Sequence, residues 1–162
     1  MDAIVAVYSD WGIGDGGTQP VALHADRKHF SELTRGAAVI VGRRTLADLP
    51  GGKPLKGRNT IVVSRQELHI DGAELAHSVE EAVELSKKYE KCLVIGGAGV
   101  YREFFPVLDR VYITKIDCAP LSTAFFPNLD VLPDWHVTAE GEWQQEDGIR
   151  YKFMTYEKTQ SV

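Results

Sequence analysis

Two short apolar runs in this chain each pass through glycine straight into a predicted helix, and this repeated junction restricts the fold more than any other feature. Residues 37–41 lead into Gly42-Arg43-Arg44-Thr45, and residues 92–95 lead into Gly96-Gly97-Ala98-Gly99-Val100-Tyr101. A run that is apolar on both faces suits a strand buried in the middle of a parallel sheet. A helix starting at its end aims unpaired N–H groups and a positive dipole end outward. Glycine at that point lets an anion approach the backbone closely. Two such junctions, one with paired arginines, point to a nucleotide clamped between them.

The rest of the chain fits around these units. Residues 3–8 predict a central strand, and residues 9–23 a long loop holding Gly12, Gly14, Gly16, Gly17 and Pro20. A glycine-rich loop of that length inside a compact domain is usually a lid or a binding loop. Residues 24–34 predict a helix with Phe30 and Leu33 on its apolar side and Gly36 as its stop. A short helix over 43–48, a Pro/Gly loop and a strand over 58–64 follow. Ser78-Val79-Glu80-Glu81 has the form of a capping box and opens a helix running to about Tyr89. A helix over 97–105, a strand over 109–117 and a final pair of strands (135–142 and 150–158) complete the reading. Strands alternating with helices imply one α/β domain over residues 1–162, with a mostly parallel central sheet, helices on both faces and an antiparallel C-terminal hairpin.

Composition narrows the function classes. The 162 residues carry 18 basic and 23 acidic side chains, a net charge of −5, which argues against nonspecific binding to nucleic acid or an anionic membrane. No apolar run approaches the roughly 20 residues of a membrane span, and residues 1–8 read as a strand, not a signal peptide. A cytoplasmic protein is the expectation. Cys92 and Cys118 are too few and too far apart for a disulfide framework or a zinc motif, and the five histidines are scattered, so no metal site is expected. P-loop, nucleophile-elbow and zinc-protease motifs are absent. The stretch from Gly97 begins like a dinucleotide fingerprint, but Arg102 stands where its third glycine would pack against the strand.

A matched set of charged residues remains. Arg43 and Arg44 open a helix, and Ser64 and Arg65 end the neighbouring predicted strand. Arginine forms paired hydrogen bonds to phosphate oxygens, so these residues could bracket a phosphate monoester. Taken singly they read as solvated surface arginines; their place at the carboxyl ends of adjacent strands favours binding. Asp26 shares a helical face with Phe30 and Leu33. Stabilising a helix dipole would be served equally by an aspartate in water. A carboxylate turned inward needs a partner or a ligand, and is a candidate for catalysis.

In order and spacing these residues resemble the dihydrofolate reductase family over nearly the whole chain, from Ile4 to about Tyr156. The resemblance rests on Gly12-Ile13-Gly14, on Pro20 with Asp26 and Phe30, and on Val39-Ile40-Val41-Gly42-Arg43-Arg44-Thr45. It continues through Leu55-Lys56-Gly57-Arg58-Asn59, Val94-Ile95-Gly96-Gly97-Ala98-Gly99-Val100-Tyr101, Val111-Tyr112-Ile113-Thr114 and Phe125-Phe126-Pro127.

What the resemblance implies is hydride transfer from NADPH to 7,8-dihydrofolate, by a monomer. Asp26 would bind the pterin's 2-amino group and adjacent ring nitrogen, supported by the Thr114 hydroxyl. Ile4, Ala6, Phe30 and Ile95 would line the substrate pocket, and Arg58 would hold the glutamate α-carboxylate. Ile13, Gly14, Gly42, Arg43, Arg44, Thr45, Ser64, Arg65 and residues Gly96, Gly97, Ala98, Gly99, Val100 and Tyr101 would hold the cofactor. Within that set Arg43 and Arg65 would meet the 2′-phosphate, and the Gly96–Gly97 bond would be cis. Two other readings stay open: a reductase of the same fold acting on another heterocycle, such as the pyrimidine reductase of riboflavin synthesis, and a non-catalytic nucleotide-binding or partner-binding protein.

Overall fold

The computed structural model describes residues 1–15 and 20–159. Nine strands form one sheet: β1 (Asp2–Tyr8), β2 (Ala38–Gly42), β3 (Asn59–Val63), β4 (Ala73–Ala76), β5 (Cys92–Gly96), β6 (Arg110–Ile116), β7 (Trp135–Glu140), β8 (Gln144–Glu146) and β9 (Ile149–Lys158). Their order across the sheet is β4-β3-β2-β5-β1-β6-β9-β7, with β8 also paired to β9. Pairing is parallel from β4 to β6 and antiparallel where β9 meets β6, β7 and β8.

Helices α1 (His24–Thr34), α2 (Arg43–Asp48), α3 (Val79–Ser86) and α4 (Ala98–Phe104) cover both faces. Because side chains alternate along a strand, each strand feeds two cores. Ala3, Val5, Val7, Ile40, Ile61, Val94, Val111 and Ile113 face α3 and α4, meeting Ala82 and Phe104. Ile4 and Leu93 face the other way, onto Phe30 and Leu33 of α1. Val41 and Val62 meet Leu46 of α2 on that same side. The fold is therefore the expected mixed α/β sheet with an antiparallel C-terminal hairpin.

Local differences from the sequence reading have physical causes. β4 was not expected, since Ala73-Glu74-Leu75-Ala76 lacks β-branched and aromatic residues. Pairing with β3 along Thr60 to Val63 makes it a strand. Helix α3 stops at Ser86 rather than near Tyr89. The Ser86 hydroxyl donates to the Val83 carbonyl at 2.6 Å, and Lys87 N–H bonds back only three residues, to Glu84. Such local bonds tighten and end a helix. At its start Ser78 Oγ accepts from Glu81 N–H at 3.1 Å, as a capping box requires. The Glu81 carboxylate, however, accepts from His77 N–H at 2.6 Å, one residue earlier than in the usual box.

Residues 16–19 of the predicted loop lie outside the described residues. The loop's first part is fastened by backbone bonds to the segment before Pro127. Ile13 N–H donates to Ala124 O at 2.9 Å, and Gly14 O accepts from Thr123 and Ala124 N–H at 2.9 and 3.0 Å. Gly12 forms an isolated bridge with Phe125. A Cβ on Gly12 would overlap the Ser122 side chain and approach Asp10 Oδ1 to 2.8 Å. Gly12→Ala is therefore expected to destabilise the fold by about 1–3 kcal/mol through overpacking. A thermal melt should show Tm falling about 2–4 °C per kcal/mol, and amides of residues 13–14 should lose hydrogen-exchange protection.

Candidate active site

Helix α1 lies along the sheet face formed by Ile4, Leu93 and Tyr112, with Phe30 and Leu33 packed onto it. That contact turns the first helical turn so that Asp26 meets β6, where the buried Thr114 hydroxyl donates to Asp26 Oδ1 at 2.6 Å. Thr114 pairs in register with Ala6 of β1 and with Phe153 of β9. Ala6, Thr114 and Phe153 therefore form a row across the sheet beneath the carboxylate. His29, one helical turn beyond Asp26, stacks on Phe153 with ring centroids 3.9 Å apart.

Burial pushes the Asp26 carboxyl above the usual carboxylate range, with the Thr114 hydrogen bond and His29 opposing and the Glu146 charge adding to the rise. Burial also pushes the His29 imidazole below its ordinary value, while the neighbouring Asp26 and Glu32 charges pull it back up. The Thr114 bond fixes one carboxylate oxygen. Among the described residues Oδ2 has no hydrogen-bond partner.

A gap in the sheet lies beside this carboxylate. β1 and β5 pair only at Asp2↔Leu93 and Ala3↔Val94, whereas β1 stays paired with β6 along its whole length. Ile4 and Ile95 are the first residues past the last pair, at the carboxyl ends where open α/β sheets bind ligands. The buried Tyr101 hydroxyl enters this gap and donates to Ile4 O at 2.7 Å. Burial, with the Asp26 charge adding to it, pushes the Tyr101 phenol well above its ordinary pKa.

A cleft of 990 Å³ opens on the far side of β5. Gly42, Arg43, Arg44, Thr45, Ser64, Arg65, Gly97, Ala98, Gly99 and Val100 all line it. The α2 and α4 junctions pack directly together there. A Cβ on Gly42 would lie 2.8 Å from Val100 Cγ2, so this glycine is needed for the contact between junctions. Nothing lies within 4 Å of a Cβ built on Gly99, which borders open space. The Gly96–Gly97 peptide is cis and Gly96 has φ +121°, a value that favours glycine. Arg43 Nη1 donates to Gln66 Oε1 at 2.7 Å, while Arg44 and Arg65 make no ion pair among the described residues.

Not every expected cofactor residue lies on that cleft. Tyr101 turns into the sheet gap, Gly96 lies behind its ring, and Ile13 joins the α3–α4 core. Gly14 is buried at the loop fastening. Arg58 is fixed to the end of α1. Its Nε donates to Thr34 Oγ1 at 3.0 Å, Nη2 to Ser31 Oγ and O at 2.9 and 3.1 Å, and Nη1 to Lys56 O at 2.6 Å.

Sequence reasoning missed His77, which lines the cleft. Its Nδ1 lies 2.9 Å from Ser64 O and its Nε2 lies 2.8 Å from Glu67 Oε1. The bond to the Ser64 carbonyl, with the Glu67 charge adding to it, raises the imidazole above its ordinary value. His77 reaches the cleft at the end of β4, the strand that its composition did not announce.

Comparison with known proteins agrees with this geometry. A family model described as dihydrofolate reductase matches residues 1–158. Dihydrofolate reductase of Bacillus subtilis is 32% identical over 161 residues, covering 98% of this chain and 94% of the relative. That of Neisseria meningitidis serogroup B is 36% identical over 155 residues, covering 94% of each. A solved structure of dihydrofolate reductase from Enterococcus faecalis, complexed with NADP(H) and RAB-propyl, superposes with a TM-score of 0.86 at 31% identity, covering 98% of this chain and 96% of that one. The riboflavin-pathway reading and the non-catalytic reading are not favoured. The chain belongs to the dihydrofolate reductase family.

Proposed function

We propose that this chain reduces 7,8-dihydrofolate to 5,6,7,8-tetrahydrofolate with NADPH, and that Asp26 is the carboxylate around which the reaction is organised. The observation that supports this most is the Asp26–Thr114 hydrogen bond over β6, beside the strand β1 that parts from β5, in a fold that also carries a cleft edged by arginines. The reaction adds a hydride at pterin C6 and a proton at N5, consuming the C6=N5 double bond. NADPH, when bound, supplies that hydride. The cleft suits its phosphates: Arg44 and Arg65 line it without ion pairs among the described residues, Gly99 leaves the backbone open, and Arg43 sits beside them.

Asp26 accepts hydrogen bonds from the 2-amino group and adjacent ring N–H of the pterin through the oxygen that Thr114 leaves free. A negative charge held there favours the protonated pterin, so N5 takes its proton from water more readily. Phe30 packs on the benzoyl part of the substrate, and Arg58, held by Thr34, Ser31 and Lys56, keeps one Nη1 N–H for the glutamate α-carboxylate. Ile4, Ala6 and Ile95 form the apolar floor. Arg43 and Arg65 take the 2′-phosphate, and the Thr45 and Ser64 hydroxyls add donors. The same reading treats residues 1–162 as one domain working as a cytoplasmic monomer on small molecules, with no nucleic-acid or membrane partner. Its net charge of −5 weighs against a nucleic-acid or anionic-membrane partner, and no helix among the described residues is long and apolar enough to cross a membrane.

Asp26→Asn keeps the shape and removes the charge. Turnover of dihydrofolate at neutral pH is expected to fall by about 10²–10⁴-fold, the usual range for a group that assists proton transfer. NADPH affinity should stay the same, and the residual rate should rise with acidity as the solvent supplies the proton. Undiminished turnover at pH 7 would remove Asp26 from the mechanism.

The same variant has a stability signature. Burial raises the pKa of Asp26 in the folded state, so its ionised form is disfavoured by folding and costs stability at neutral pH. Asp26→Asn should therefore melt above the parent at pH 7. The difference should shrink as pH falls through the raised pKa, and vanish below the unfolded value of about 3.9. Calorimetry at a series of pH values reads this directly.

Replacing Arg43 and Arg65 together with alanine should weaken NADPH far more than NADH. A hydrogen bond to a charged group is worth about 1.5–3 kcal/mol, so roughly 10- to 100-fold in Kd is expected per lost contact. Titration of both dinucleotides by fluorescence distinguishes this from an equal loss, which would place the 2′-phosphate elsewhere.

A further inference from the structure

We propose that Glu146, on the C-terminal hairpin and far from Asp26 in sequence, is the positioning residue that holds Asp26 in its working orientation by closing the N-terminus of α1. The proposal rests on the reading of Asp26 as the functional carboxylate. Its starting point is a helix with no cap of its own. Leu23, the residue before α1, is extended and offers no side-chain acceptor to the first turn. The missing acceptor comes from across the fold. Glu146 Oε2 accepts from His24 N–H at 2.6 Å and Oε1 accepts from Ala25 N–H at 2.9 Å.

The consequence for Asp26 follows from its position. It is the third residue of α1, where a carboxylate commonly folds back onto the amides of its own helix start. Such a bond would draw Asp26 away from Thr114. With Glu146 on the open amides, the Asp26 side chain is left to cross to β6 and take the Thr114 hydroxyl.

The hairpin is built to hold this carboxylate still. Glu146 ends β8 and pairs with Ile149 across a turn in which Asp147 and Gly148 have φ of 51° and 78°. A two-residue turn with both central residues at positive φ matches the twist of the flanking strands. Behind it Trp143 lies between Arg150 and Lys152, whose charged groups are 4.5 and 4.6 Å from the ring centre.

Glu146 also acts on Asp26 through its charge. The charged or titratable groups that bear on Asp26 are His29 from α1, the Tyr101 phenol from α4 and Glu146 from β8, together with the Thr114 hydroxyl from β6. Glu146 opposes ionisation of Asp26, while Thr114 and His29 favour it. The Ala25 and His24 amides, with the nearby His24 and Arg27 charges, hold the Glu146 carboxyl below its ordinary range. The downward shift of Glu146 and the upward shift of Asp26 both favour the charge on Glu146, and removing that charge is expected to lower the pH at which Asp26 loses its proton.

The test compares the full-length parent with Glu146→Gln, which keeps one acceptor oxygen and loses the charge, and Glu146→Ala, which loses both. Two readouts are taken: the carbon-13 titration of the Asp26 carboxyl in the free protein, with His29 followed in the same samples, and the pH profiles of kcat and kcat/KM for dihydrofolate. Asp26 should titrate at lower pH in both variants. Glu146→Ala should lose roughly 10- to 100-fold in kcat/KM, the scale of a small misplacement of a catalytic group, with NADPH Kd unchanged and Glu146→Gln less affected. An Asp26 titration unmoved in Glu146→Gln, with kcat/KM within about twofold of the parent, would overturn the proposal. If Glu146→Ala does not fold, Glu146→Gln decides by the same criteria. A parent that fails to reduce dihydrofolate would sink the functional reading alone, since the carboxyl titration still decides whether Glu146 governs Asp26.

Discussion

β1 and β5 lie side by side in the sheet yet share only two paired positions, after which they separate. This parting is the constraint on which the rest of the molecule depends. A fully paired sheet would bury the backbone of residues 4–8 on that side and leave no room for a ligand. Separation at the carboxyl ends creates a crevice, at the point where the strand order reverses direction. The exposed backbone polar groups must then be satisfied by something other than the sheet. Tyr101 supplies one partner by reaching Ile4 O, so its place in the glycine junction and its buried hydroxyl serve the same opening. Arg43 and Arg44 line the cleft on one side of β5, and Asp26 lies on the other, over β6.

The carboxylate in that crevice is energetically awkward. Desolvation disfavours its charge, and one hydrogen bond from Thr114 offsets only part of that cost. A protein selected for stability alone would place an apolar residue here. Its presence beside Phe30 and Ile4 therefore carries functional information, and a substrate that brings N–H donors supplies the interaction the fold withholds. Family membership points to dihydrofolate as that substrate, and the Asp26 oxygen left without a partner among the described residues is where its N–H donors would be met.

Much of this was legible in the sequence, and the exceptions share a cause. Runs such as Ile61-Val62-Val63 and Leu93-Val94-Ile95, apolar on both faces, marked central strands because burial on both sides leaves no polar position to alternate with. Asp26 stood out by its spacing from Phe30 and Leu33, and the arginine pairs by their place at strand ends. β4 and β8 did not stand out, since each is made by the neighbour it pairs with and neither has a strand-forming composition. His77 and Glu146 were hidden with them, because a residue's role cannot be seen until the element that delivers it is known. Tyr101 was assigned to the cofactor from its position in a motif. Its side-chain direction depends on the separation of β1 from β5, which no local pattern records.

Helix α1 shows how far the site depends on distant residues. Eleven residues make an isolated helix marginal in water, and this one has no cap residue and only a narrow apolar stripe. It is held instead at three places. A carboxylate from β8 meets its N-terminus, where negative charge complements the dipole. The Arg58 guanidinium meets its C-terminus through Ser31 and Thr34, where positive charge does the same. Between them Thr114 and Phe153 receive Asp26 and His29. None of these partners is near α1 in sequence, so the helix that bears Asp26 is set only when the sheet has closed from β1 through β9. Orientation of Asp26 is in this sense a property of the completed fold, and it is reached through residues brought to α1 from across the sheet.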